Sequence, residues 1–384
     1  MGSSIAYLAQ GRIWIKPEEA AARLLESPYA NGVHERAARS HQRHAWKSQG
    51  NGFLSGGTLW GQNPTVGPQP VLFTSLSPGT TSGGLVYSLA SGPLCALCES
   101  ADLATDERRV WNDNRVRAQY VHACPETGNL ACSVHHENGT AAIGVMLKDR
   151  PGFSEVTEGD SVDTAPHWVP GDDRRIVFQS AGVGRNRDGQ AVALGPFSIQ
   201  LVDIDTGHME TLVEDPTLDC LAPQILGDGT LYYIRRPYNE HARGKPLRAL
   251  KDTLLFPFRL LYAVFQFFNS FSMMFTGRKL STPAGTPHRE LELKRMMIWG
   301  NLIEAQRDPG EDEGIGLVPG SWQLVRRSPE GTEEVLAKGV LACDVGDDGT
   351  IAYTNGNAIF LRRADTPGKR IHTAPMIEQV VLLR

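Results

Sequence analysis

The chain has 384 residues, 41% hydrophobic and 21% charged, a balance that excludes wholesale disorder. Its 38 basic and 43 acidic residues leave a net charge of −5, which disfavours a chain-wide nucleic-acid binder. Six cysteines are too sparse for a disulfide framework, while 40 glycines and 24 prolines favour many turns and many short strands.

The first residues carry no secretory signal. There is no basic start, and the apolar run from Ile5 is broken by Gln10, Gly11 and Arg12. Gly2 invites myristoylation, but Ala6 stands where Ser or Thr is wanted. The expected location is the cytoplasm. Residues 5–8 and 12–15 alternate as two strands of a first unit whose leading strand is missing. Residues 27–50 follow as an insertion, with a helix over 33–47 made of strong helix formers and capped by Asn31. His34, His41 and His44 share one face of it and raise a metal or phosphate site. No cysteine or acid shares that face, so the adopted reading is a basic solvated helix anchored by Trp46. Anion or nucleic-acid contact through Arg36, Arg39, Arg43 and Lys47 is a weaker option.

Strands are next expected at 71–75 and 84–89. Cys95 and Cys98 form a CxxC, but on a strand their thiols face opposite sides, which is poor for one metal. Cys124 and Cys132, with His122, His135 and His136, could meet across adjacent strands and hold zinc, yet their spacing fits no standard ligand pattern. Buried structural cysteines are expected instead. Residues 125–133 make a degenerate turn between strands. The clearest repeat spans 163–214. There Trp168-Val169-Pro170-Gly171-Asp172 turns between two strands, and Leu201-Val202-Asp203-Ile204-Asp205-Thr206-Gly207 turns between two more. Ile225-Leu226-Gly227-Asp228-Gly229-Thr230-Leu231 and Val345-Gly346-Asp347-Asp348-Gly349-Thr350-Ile351 repeat the same grammar. Residues 378–383 are a spare strand, and placing it as the missing first strand closes a ring and removes exposed edges.

On these turns the sequence resembles the TolB-like (PD40, WD40-like) β-propeller family, over most of the chain. The family's Ser-Pro-Asp-Gly turn is degenerate throughout. The resemblance implies an all-β fold over 1–384. It would be a six-bladed propeller of four-stranded blades closed by the C-terminal strand, with a helical insertion after blade one and a hydrophobic helical insertion in blade five. These motifs are specific to fold and poor in function.

The blade-five insertion, 239–317, is the most informative segment. Its centre, near 253–276, is long enough to span a bilayer, but Arg259 would sit inside the span and both ends return to the same blade. Arg259, Tyr262, Gln266, Asn269 and Ser270 form one polar stripe of a helix. The rest of its surface is apolar: Leu254, Leu255, Phe256, Phe258, Leu260, Leu261, Val264, Phe265, Phe267, Phe268, Phe271, Met274 and Phe275. Such a helix can lie in the plane of a membrane, with these side chains sunk into the acyl boundary. Ten basic and four acidic residues give 239–295 a net charge of +6, against −11 for the remainder. Arg243, Lys245, Arg248, Lys251, Arg259, Arg278 and Lys279 are the expected contacts to anionic lipid on the cytoplasmic leaflet.

The sequence carries no G-x-S-x-G, H-E-x-x-H or P-loop motif. No catalytic residue, metal or cofactor is expected, and nucleic acid is disfavoured as a partner. The expected function is a non-enzymatic protein-binding scaffold on the inner face of a membrane, engaging a protein through its loops or channel. The alternatives are a soluble propeller whose insertion docks into a protein partner or oligomer, and a metal-dependent enzyme using the propeller funnel.

Overall fold

The computed structural model describes residues 4–49, 70–103, 106–150, 152–238, 295–298, 301–304, 316–363 and 366–383. The chain divides into two compact units, one built from 1–34, 70–238 and 296–384, the other from 35–69 and 239–295.

The first unit is a succession of antiparallel sheets. β1 (Ile5–Ala9), β2 (Arg12–Lys16) and β3 (Arg23–Leu24) pair in order, and the helix α1 (Pro28–Gln49) starts just beyond them. β4 (Leu72–Pro78), β5 (Leu85–Ser91), β6 (Leu94–Ser100) and β7 (Glu107–Asp113) form the next sheet. Then come β8 (Arg117–Ala123), β9 (Leu130–His135), β10 (Ala141–Met146) and the short β11 (Ser154–Glu155). β12 (Ser161–Trp168), β13 (Arg175–Arg185), β14 (Ala191–Leu194), β15 (Ser198–Asp203) and β16 (Met209–Val213) follow. A parallel bridge between Ala141 and Val162 joins these two groups into one nine-stranded sheet.

β17 (Leu218–Ile225) and β18 (Leu231–Pro237) are separated from their sheet partners by a long interval. It holds a two-stranded sheet, β19 (Arg295–Ile298) and β20 (Asn301–Glu304). β21 (Gln323–Arg327) and β22 (Glu333–Lys338) then complete the sheet with β17 and β18. The apolar centre of the 239–317 insertion and its basic flank, Leu254 to Phe275 and Arg243 to Lys279, lie outside the described residues. β23 (Ala342–Val345), β24 (Ile351–Thr354), β25 (Ala358–Arg362) and β26 (Lys369–Thr373) make the last complete sheet. The final strand, β27 (Ile377–Leu382), pairs antiparallel with β1, Leu382 against Ile5. The spare C-terminal strand therefore supplies the first strand of the first sheet.

Most strands do not alternate cleanly, because each sheet has neighbours on both faces. β10 is buried along its whole length. On β6, Cys95 and Leu97 pack into one apolar cluster while Ala96 and Cys98 pack into the cluster on the other side. Between the β8 and β12 groups the filling is Ile143, Val145, Trp168, Ile176 and Phe178. Connections are tightened by a recurring turn. Asn138, Asp228 and Asp348 each accept the N–H of the threonine two residues on, across a glycine at positive φ.

The leading strands lie side by side in the sequence β4, β8, β12, β17, β23, β27 and back to β4. Apart from the single Ala141–Val162 bridge on β12, each has one edge with no strand to pair with, and side chains fill that role. Gln379 on β27 donates to Leu76 O at 2.8 Å and accepts Leu76 N–H at 3.0 Å on β4. Ser75 and Ser77 on β4 accept the N–H groups of Val121 and Ala123 on β8. His122 Nδ1 on β8 accepts Trp168 N–H on β12 at 3.2 Å. Gln179 on β13 accepts Ala222 N–H on β17 at 2.7 Å. Gln224 on β17 donates to Cys343 O and accepts Val345 N–H on β23. Asp344 on β23 accepts Leu382 N–H on β27 at 2.7 Å. This circuit returns to its start and satisfies backbone groups that would otherwise be buried and orphaned.

The helix begins earlier than the sequence suggests. Asn31 lies inside α1, and the cap is Ser27, whose Oγ accepts Ala30 N–H at 3.0 Å. Pro28 takes the first helical position, where its missing N–H costs nothing. The tertiary partner Glu107 on β7 accepts Tyr29 N–H at 2.7 Å and fixes that start. Within the second unit, Glu35 and Arg39 form an exposed i,i+4 ion pair at 3.2 Å.

Candidate functional site

Two places in the first unit gather chemistry-bearing side chains. The first is the rim of the leading strands. Tyr120, Ala165, Ala222 and Met376 all have positive φ, and the ladder register shifts beside the first three. These distortions re-aim the following polar side chains toward the neighbouring sheet. The His122 and His167 rings lie with centroids 3.9 Å apart. Glu378 on β27 accepts the backbone N–H groups of Gln10 and Gly11 in the β1–β2 turn. Burial outweighs those hydrogen bonds and lifts its carboxyl from the usual 4.5 to about 7. Tyr120 is pushed up to about 12, first by burial and then by the Glu378 charge.

A group whose folded pKa is raised holds a proton that the unfolded chain has lost. Between about pH 4.5 and 7, unfolding therefore releases a proton at Glu378, and stability falls as pH rises through that window. Glu378→Gln keeps an acceptor for Gln10 and Gly11 but does not titrate. Its stability, measured by urea unfolding from pH 4.5 to 8, should lack the decline, which in the parent reaches at most about 1.4 kcal/mol per pH unit. Equal slopes in parent and variant would show that Glu378 titrates normally.

The second place is a polar cleft of about 390 Å³ on the β17–β18–β21–β22 sheet, facing β16. Tyr233 Oη donates to Glu333 Oε1 at 2.7 Å, and Arg235 donates to Glu333 Oε2 at 3.1 Å. The Arg327 guanidinium stands 3.8 Å from Glu333 Oε1 and makes no side-chain hydrogen bond among the described residues. Glu214 and Asp215 also line the cleft. Thr217 holds the Asp215 carboxyl below its usual range through side-chain and backbone hydrogen bonds. Cys220, which also lines the cleft, stays protonated, since burial pushes its thiol up to about 12. The cleft can therefore recognise polar groups but has no thiolate nucleophile at neutral pH.

The sequence-predicted sites fare unevenly. Every proposed membrane or lipid contact lies outside the described residues. No helix among the described residues is long and apolar enough to cross a membrane. His34 is described, whereas the side chains of His41 and His44 are not. Cys95 and Cys98 do face opposite sides, as do Cys124 and Cys132. All six cysteines are buried and free, and no group of metal-ligating side chains gathers among the described residues. Glu378 and the Tyr233–Glu333 pair escaped the sequence reading. A signal existed for the pair, because Leu85-Val86-Tyr87 and Leu231-Tyr232-Tyr233 open equivalent strands.

Sheets strung on adjacent leading strands and closed by the C-terminal strand define a β-propeller. No family model and no curated protein matches the sequence. Solved structures do match in fold. TolB from Acinetobacter baumannii aligns at a TM-score of 0.52 and 10% identity, covering 99% of this chain and 66% of that one. A chain of a nidogen/laminin complex aligns at 0.51 and 8% identity, covering 100% and 99%. The protein has the TolB-like β-propeller fold, and it spans 66% of the length of the TolB chain.

Proposed function

We propose that the chain is a six-bladed propeller that serves as a non-enzymatic protein-binding platform, held on the cytoplasmic face of a membrane by the segment 239–295. The observation that carries the platform reading is the side-chain circuit. Gln379, Ser75, Ser77, His122, Gln224 and Asp344 stand on the rim where a funnel enzyme would place catalytic groups, and each is committed to holding the next blade. A frame built this way supports loops and inter-blade surfaces as the binding elements. Attachment is supported by the sequence, in which a long apolar run with one polar stripe lies beside a net charge of +6.

Vesicle flotation tests the attachment. The full chain should float with vesicles containing anionic lipid, less so as salt rises, and a chain lacking 239–295 should stay at the bottom. If both stay at the bottom and the full chain elutes as a defined oligomer, the apolar segment is a protein-docking element instead.

A further inference from the structure

The β4–β7 sheet and the β17–β22 sheet match residue for residue around one feature. Tyr87 and Tyr233 each occupy the third position of the second strand. Ser100 pairs with Glu107 in the first sheet, and Arg327 pairs with Glu333 in the second, at the same step of the ladder. In both sheets the tyrosine hydroxyl donates to that glutamate. The neighbouring step carries an ion pair of opposite polarity in the two sheets, Glu99 with Arg108 and Arg326 with Glu334.

The two slots differ in what occupies them. In the first, the chain itself lies across the Tyr–Glu pair. Ser27 Oγ donates to Glu107 Oε1 at 2.5 Å and Tyr29 N–H donates to Oε2, while Leu25 and Ala30 are buried against Tyr87 and Leu89. In the second, β16 runs directly into β17 through Glu214 and Asp215, with no such segment between them, and the slot is the 390 Å³ cleft. Arg235 replaces the peptide N–H on Glu333 Oε2. No hydroxyl stands in for Ser27 on Oε1, and the Arg327 guanidinium keeps its hydrogen-bond donors unspent among the described residues.

We propose that this cleft binds a peptide segment of a partner protein that caps the start of a helix, taking its Ser or Thr hydroxyl on Glu333 and a carboxylate on Arg327. The filled slot of the β4–β7 sheet shows the geometry of such a complex within the same molecule. A guanidinium in a half-buried wall takes a carboxylate through two parallel hydrogen bonds. The apolar flank made by Leu212, Val213 and Leu218 suits the aliphatic residues that border the docked segment. This inference deepens the platform reading. Because it needs no membrane, its failure and the failure of the flotation test are separate results.

The probe is a synthetic peptide with the chain's own sequence over 24–31, Leu-Leu-Glu-Ser-Pro-Tyr-Ala-Asn, which carries both the hydroxyl and a carboxylate. Labelled at one end, it is titrated with the intact chain and followed by fluorescence anisotropy. Binding should saturate. It should weaken about tenfold or more in Arg327→Ala, and similarly when the serine of the peptide is replaced by alanine. Arg327 lies at the cleft wall, and thermal unfolding of the variant confirms that it remains folded. Three results would overturn the proposal: no saturation at low-millimolar peptide, equal affinity in parent and Arg327→Ala, or equal binding of a scrambled peptide.

Discussion

Deleting residues 376–384 should abolish cooperative folding. Ile377, Val380, Val381 and Leu382 are all buried, and each contributes about 1.5–3 kcal/mol. Together that is comparable with the roughly 5–15 kcal/mol that a domain holds in reserve. The deletion also leaves β1 as an unpaired edge, strips Leu76 of both Gln379 bonds, and leaves the buried Asp344 carboxylate without Leu382 N–H. Circular dichroism on heating should show no sharp transition. The decisive companion is a chain in which the same strand is moved ahead of Ser4 through a short turn. Leu383 N–H already bonds Ser4 O at 2.9 Å, so the two ends stand where a hairpin can join them. That rearranged chain should melt cooperatively. A truncated chain that melts sharply near the parent temperature would show that closure contributes little.

Asp219→Ala should be the most damaging single substitution described here, at about 3–5 kcal/mol. Asp219 and Arg236 form an ion pair at 2.9 Å, with side chains only 6% and 4% exposed. The other Asp219 oxygen accepts Phe197 N–H at 3.0 Å, which ties β17 to the start of β15. The guanidinium lies 4.6 Å from the centre of the Trp322 ring, sealed from solvent. Removing the carboxylate takes the Asp219 bond from a buried guanidinium and the acceptor from Phe197 N–H in a site with little water, and losing a buried charged acceptor costs more than losing a surface pair. Replacing both partners, Asp219→Leu with Arg236→Met, should recover much of the loss. Urea denaturation of the single and double variants measures both quantities. A single variant within about 1 kcal/mol of the parent would mean that water reaches the pair.

Much of this fold could be read from the sequence, and the reasons are local. The strand at 5–8, its partner at 12–15 and the closing strand near 378–383 all stand where expected, because turn residues punctuate short apolar runs. The Gly-Asp-Gly-Thr and Asp-Asp-Gly-Thr turns were legible because an Asp side chain bonding its own backbone is a property of four residues. The start of α1 was misplaced because its cap depends on Glu107, about 80 residues away. The rim circuit was hidden for the same reason. Nothing in Gln379 or Gln224 alone distinguishes a surface amide from one that mimics a missing strand. Glu378 looked like an ordinary strand acid, and only its burial above the Gln10–Gly11 turn changes its titration. The cleft is marked by no local motif, because it is defined by the match of two sheets far apart in the sequence.

The most direct test of the closed frame is hydrogen exchange at the leading-strand amides that hydrogen-bond side chains of the preceding sheet. These are Leu76, Ala123, Trp168, Ala222, Val345 and Leu382. If the circuit holds the sheets as one ring, they should exchange as slowly as the interior ladder amides of β13 and β15, through global unfolding alone. Exchange at loop-like rates, with those ladders still protected, would show sheets that open independently and would contradict the ring.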